Sequence, residues 1–244
     1  KFAEQTTGEC LNCPTGFYQN EESIEFCHKC PQGRYMASTQ ATSCVLCPAG
    51  RFGDVVGLEC ASFCALECTA CVAGKYLDEK GQQSPVACQD CGAGLYSDVD
   101  GRSDASNCKQ CPKGRYNAKE GSAVESDCLN CGVGQYGDTK GVTNTDGCKA
   151  CPLGKFGDET GNSNSGRCKV CRAGTAGETR GLQNQQSCSD CRSGFYSALA
   201  GLVSTELCTP CPAGRWSNAT AADDEDQCLL CGRGRYQNVT GATS

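Results

Sequence analysis

Histidine, methionine and tryptophan are almost absent: one of each in 244 residues. With His28 as the only imidazole, the chain cannot build a His-based catalytic triad or a multi-histidine metal site from its own residues. His28, between Cys27 and Cys30, reads as a surface residue. No apolar run approaches the roughly 20 residues that span a bilayer. Acids and bases are interspersed at a net charge of -6, which leaves neither a basic stripe for nucleic acid nor an acidic tail. The glycines follow no G-x-G-x-x-G or G-x-x-x-x-G-K-[ST] pattern, so no phosphate cradle is indicated. Acid, base and nucleophile constellations are missing too, and the chain reads as a non-enzyme without a cofactor. Conventional hydrophobes are scarce: the apolar share is 38%, but it includes 26 cysteines. Without crosslinks such a chain struggles to offset about 1–2 kcal/mol of backbone entropy per residue.

What the chain has instead is cysteine, at more than a tenth of its residues. That is the mark of a disulfide scaffold made in an oxidising compartment. Two N-glycosylation sequons agree, Asn218-Ala219-Thr220 and Asn238-Val239-Thr240, at the same position of consecutive repeats. Asn20 occupies that position too but is followed by Glu-Glu, so it should be bare. The expected location is extracellular, secreted or on the cell surface, with N-linked glycans. A start at Lys1 suits either removal of a signal peptide or an excerpt of something longer.

The cysteines mark a repeat. Counting from the second cysteine of each C-x-x-C, twelve units begin at Cys13, Cys30, Cys47, Cys71, Cys91, Cys111, Cys131, Cys151, Cys171, Cys191, Cys211 and Cys231. From Cys71 the period is 20; the first two units have a period of 17, and the third is longer with extra cysteines. Taking that cysteine as zero, glycine stands at +3 in all twelve units. An aromatic stands at +5 in every unit but the ninth, which has Ala176. A second glycine at +10 often closes Asp-x-x-Gly, as in Asp54–Gly57 and Asp158–Gly161, which suits a type I turn. Each unit thus reads as a short strand through the aromatic, a turn, and a return to the next cysteine.

The segments "CPAGRFGD", "CPLGKFGDETG" and "CPAGRWSN" resemble the ephrin-receptor-like cysteine-rich repeat of extracellular proteins. The short units "CPTGFYQNEESIEFC" and "CPQGRYMASTQATSC" are similar to single-disulfide modules of tumour necrosis factor receptors. The resemblance implies module type and compartment. It does not select a function, because such modules serve receptors, adhesins and structural proteins alike.

Three pairings compete. The first joins each second cysteine to the first cysteine of the next C-x-x-C: Cys13–Cys27, Cys30–Cys44, Cys71–Cys88, Cys91–Cys108, Cys111–Cys128, Cys131–Cys148, Cys151–Cys168, Cys171–Cys188, Cys191–Cys208 and Cys211–Cys228. In the third unit the 17-residue step gives Cys47–Cys64 and leaves Cys60–Cys68. The second closes each C-x-x-C on itself, as in redox sites. The third reads neighbouring C-x-x-C pairs as zinc sites, which the spacing permits. The sequons and the even run of motifs favour the first. It leaves Cys10 and Cys231 without partners inside the segment, as expected of an excerpt or of subunits linked covalently.

The expectation is a small disulfide-rich repeat protein, an elongated rod of about twelve tandem modules with short strands and turns and little or no helix. Its parts are 1–46, two short repeats; 47–70, the irregular third; 71–230, eight regular repeats; and 231–244, an incomplete last one. Each unit should touch only its neighbours, and each ring should cover its own disulfide. The acids of "DVDG" (Asp98, Asp100) and "ADDEDQ" (Asp223, Asp224, Glu225, Asp226) read as solvated turns, since no Asp-x-Asp-x-Asp-Gly calcium loop is present. Basic residues at +4, among them Arg34, Arg51 and Arg215, read as an exposed edge or as a stripe meeting acids of a neighbouring rod. The expected partners are further copies or further repeats of the same polypeptide, in a fibre, spacer or surface appendage. The alternative is the stalk or ligand-binding ectodomain of a receptor or adhesin.

Overall fold

The computed structural model describes residues 2–3, 10–59 and 67–244. In each regular repeat, +4 and +5 form a two-residue strand that pairs antiparallel with the two residues inside the next C-x-x-C. Lys155 faces Val170 and Phe156 faces Lys169; likewise Leu95 faces Gln110 and Tyr96 faces Lys109. This register sets the cysteine just before the return strand against the cysteine that opens the repeat. Eleven disulfides result among the described residues. Cys13–Cys27 and Cys30–Cys44 close steps of 14 residues. The eight bonds from Cys71–Cys88 to Cys211–Cys228 close steps of 17.

One element accounts for the difference. A three-residue 3-10 turn at +14 to +16, from Pro85–Ala87 through Glu225–Gln227, stands in the eight regular repeats and not in the two short ones. The residue before it is a side-chain cap. Asp104 accepts from the Ser106 amide, Asn164 from Gly166 and Asp224 from Asp226, whereas Val124 caps nothing.

The third repeat departs from the expected pairing. Cys47 is bonded to Cys68, across 21 residues, and not to Cys64. The reason is register: Arg51 faces Ala70 and Phe52 faces Thr69, so the residue directly before the return strand is Cys68. Cys60 and Cys64 lie outside the described residues.

Disulfides are the core. The opening cysteine of the first eleven repeats is 0–1% exposed. Several rings extend this core, lying over the disulfide of the following repeat and not over their own. Tyr96 packs on Cys111–Cys128, Phe156 on Cys171–Cys188 with Leu182, and Phe52 on Cys71–Cys88 with Leu77. Backbone pairing explains the shift, because +5 forms a parallel bridge to +11 of the next repeat, as in Phe156 to Leu182. The chain falls into two compact units, Lys1–Cys111 with Asn117–Cys128, and Pro112–Tyr116 with Leu129–Ser244. The same repeat pattern occurs within each.

Candidate functional site

The chemistry of this chain is concentrated where repeats meet. In the second unit the Gly154 amide donates to the Gly177 carbonyl at 2.8 Å, Gly157 to Leu182 at 2.8 Å, and Gly181 to Cys151 at 2.9 Å. In the first unit Gly74 donates to Ser97 at 2.8 Å, Leu77 to Arg102 at 2.9 Å, and Gly101 to Cys71 at 2.7 Å. Junctions within each unit therefore have three backbone hydrogen bonds that satisfy groups otherwise left without a partner at a buried seam.

The +3 glycine is required twice over. Its φ lies between 74° and 85°, a region that L side chains rarely adopt. A Cβ on Gly154 would also overlap the carbonyl oxygen of Gly201, and one on Gly74 that of Gly121. Both obstacles belong to the repeat two places on. A repeat thus touches its neighbour's neighbour as well, contrary to the expectation of nearest-neighbour contact alone, because a bare Cα lets the +10 turn of that repeat close over it. The +10 residue is left-handed along the chain, including the non-glycines Ser23, Gln40 and Ala221.

Side chains reinforce the seam. The Tyr96 hydroxyl donates to Glu125 at 3.2 Å and Tyr196 to Glu225 at 3.4 Å. Burial, then the Glu125 carboxylate, pushes the Tyr96 phenol up from its ordinary value. The Thr205 amide and hydroxyl both donate to Glu178, at 2.8 and 2.6 Å. In the ninth repeat, where Ala176 replaces the ring, Ala176 and Thr175 are buried. The Gln185 side chain there donates to the Thr175 hydroxyl at 3.2 Å and accepts from the Arg172 amide at 3.0 Å.

The outer face of the hairpin carries a three-residue row: the ring at +5, the residue at +18, and the residue at +7. In the repeat at Cys91 the Lys109 ammonium lies 5.8 Å from the Tyr96 ring centroid and 2.8 Å from the Asp98 carboxylate. Lys149 meets Asp138 at 2.9 Å, and Lys169 meets Asp158 at 2.8 Å. In the repeat at Cys71, Tyr76 donates to Gln89 at 2.9 Å and Gln89 to Asp78 at 3.5 Å. The lysine hydrogen bond holds the Asp98, Asp138 and Asp158 carboxyls below their ordinary value.

Three of the +4 arginines are half-buried and bonded to backbone, whereas Arg235 is exposed. Arg34, Arg51 and Arg215 each donate to the carbonyl of the first cysteine of the next C-x-x-C, at 2.9, 2.7 and 3.0 Å. Of the turn acids, Asp100 accepts from the Ala73 amide of the preceding repeat at 2.7 Å. His28 is half-buried between Tyr18 and Phe26, with ring centroids 5.7 and 5.1 Å away. The two cysteines of one C-x-x-C go to different bonds, Cys108 to Cys91 and Cys111 to Cys128, which rules out self-closed pairs and zinc ligation there. Among the described residues no cluster of His, Cys, Asp and Glu is placed to hold a metal, and no helix is long and apolar enough to cross a membrane. Asn218 and Asn238 are exposed. Cys10 and Cys231 form no disulfide among the described residues, the first exposed and the second half-buried.

No curated protein matches the chain. A family model does, over residues 1–47 and 83–128, less than half of the length; it is described as tyrosine-protein kinase ephrin type A/B receptor-like. That family is a non-catalytic ectodomain type. The match and the eleven tandem disulfides among the described residues together make this chain a disulfide-bonded cysteine-rich repeat array, similar to ephrin-receptor-like modules over the two matched stretches, and suggest an extracellular or cell-surface protein.

Proposed function

We propose that the array is a secreted, N-glycosylated structural element, a spacer or protofilament of an extracellular fibre or surface appendage. The repeating junction supports this reading: within each unit the same three backbone hydrogen bonds recur, and the same glycine contact recurs from Gly114 through Gly194 in the second. Sites for binding are more often built on irregular loops held by a scaffold, and from Cys71 onward the 20-residue step admits no insertion. Self-association, or addition of further repeats, would extend the same junction. The third repeat, with its 21-residue disulfide step, supports a second reading as the stalk or ligand-binding ectodomain of a receptor or adhesin.

Electron microscopy of the non-reduced, glycosylated protein over a concentration series tests the two. Continuous filaments with a regular spacing are expected of the structural element. Single chains at every concentration would overturn it and favour the ectodomain, with the third repeat as the next segment to probe.

A further inference from the structure

In the repeat at Cys211 the outer row of three residues is rewritten. The ring is Trp216, +18 is Leu229 and +7 is Asn218. Trp216 and Leu229 face each other across the hairpin, as Tyr96 and Lys109 do in their repeat. Where +18 is lysine, its ammonium bonds the carboxylate at +7. Leucine offers an amide at +7 nothing to bond. Leu229 and its neighbour Leu230 are instead exposed apolar side chains beside a half-buried tryptophan. Asn218 and Thr220 of the sequon are both exposed, and the Asn218 carbonyl is held by the Ser193 hydroxyl at 3.0 Å.

We infer that Asn218 carries an N-linked glycan whose first N-acetylglucosamine lies on Leu229 and the edge of Trp216, filling the place that an Asp–Lys pair fills in the repeats at Cys91, Cys131 and Cys151. The inference rests on the glycosylated reading above. Attachment needs a lipid-pyrophosphate-linked oligosaccharide as co-reactant. The Asn218 side-chain nitrogen forms a bond to the anomeric carbon as the bond from that carbon to the pyrophosphate oxygen breaks. The nitrogen loses one proton, and the lipid pyrophosphate leaves. The sugar ring then sets its C–H face and N-acetyl methyl against the leucine and indole, while its hydroxyls keep to water. An apolar pair that would otherwise be wet is covered.

Trp216 is the only tryptophan and serves as the reporter. The full chain, with Asn238→Gln so that one site remains, is secreted from a eukaryotic host and its Asn218 peptide is mapped by mass. Trp216 emission and acrylamide quenching are compared in four forms: intact, trimmed by an endoglycosidase to a single sugar, fully deglycosylated, and Asn218→Gln. The expected result is an occupied Asn218, with equal shielding in the intact and trimmed forms. The two sugar-free forms should show a red-shifted emission and stronger quenching. Leu229→Lys should abolish the difference between trimmed and sugar-free protein. Enzymatic removal covers the case in which Asn218→Gln is not secreted. An occupied Asn218 whose sugar leaves Trp216 quenching unchanged would overturn the seat and leave the glycosylated reading intact. A bare Asn218 would overturn the seat and the glycosylated reading at this sequon, whatever electron microscopy finds about filaments.

Discussion

Two consecutive repeats, those opening at Cys151 and Cys171, differ at the position that elsewhere fills the core. The first has Phe156 lying on the next disulfide; the second has Ala176. Their backbones nevertheless join the next repeat in the same way. Gly154 and Gly174 both donate at 2.8 Å, as do Gly157 and Gly177, and both +3 glycines sit under the +10 turn two repeats on. The hydrogen-bonded glycine seam therefore specifies the junction, and the ring adds burial to a geometry already set.

If that is right, the largest loss should come from the seam. Gly154→Ala forces a left-handed alanine against the Gly201 carbonyl, at a cost on the order of 4 kcal/mol. Hydrogen exchange should show protection lost over residues 151–208 while the repeats from Cys71 to Cys111 keep theirs, since repeat arrays open locally. Unchanged protection would mean that the overlap is relieved by a small shift and that the seam is less demanding than its geometry implies. Phe156→Ala should cost less, about 3 kcal/mol, with faster exchange around Cys171–Cys188 and the Gly154 and Gly157 amides still protected. Loss of those two amides would show the ring holding the seam, which reverses the lesson drawn from Ala176. The smallest effect is a gain. Val124→Asn supplies the cap that seven sister turns have and should stabilise by about 1 kcal/mol, read as slower exchange at Asp127 and Cys128.

Much of this arrangement was legible in the residues. Spacing alone places the hairpin and the +3 and +10 glycines, whereas the disulfides of the regular repeats need the sequons and the even run of motifs to favour them over zinc sites or self-closed pairs. The third repeat was misread through trust in the 17-residue step. The better guide was the place of Cys68 as first cysteine of the C-x-x-C that ends at Cys71, since strand register and not loop length decides the partner. The caps were visible as a column, Ser84, Asp104, Asn144, Asn164, Asn184, Ser204 and Asp224, and point to the 3-10 turn. The outer row was visible too, as aspartate at +7 opposite lysine at +18. The target of each ring and the contact two repeats on were not legible. Sequence order does not reveal how far the next turn steps along the axis, and both contacts depend on that step.

The contact between a +3 glycine and the turn two repeats on has a consequence for how the chain is completed during synthesis. As the polypeptide emerges from its N-terminal end, the repeat at Cys151 has its whole disulfide loop once Cys168 is out. Its Gly154 amide finds an acceptor only when Gly177 follows, and its Gly154 Cα is covered only when Gly201 does. The order in which partners become available is therefore vectorial: the disulfide loop is complete first, the neighbour's acceptor comes next, and the covering turn trails by two repeats.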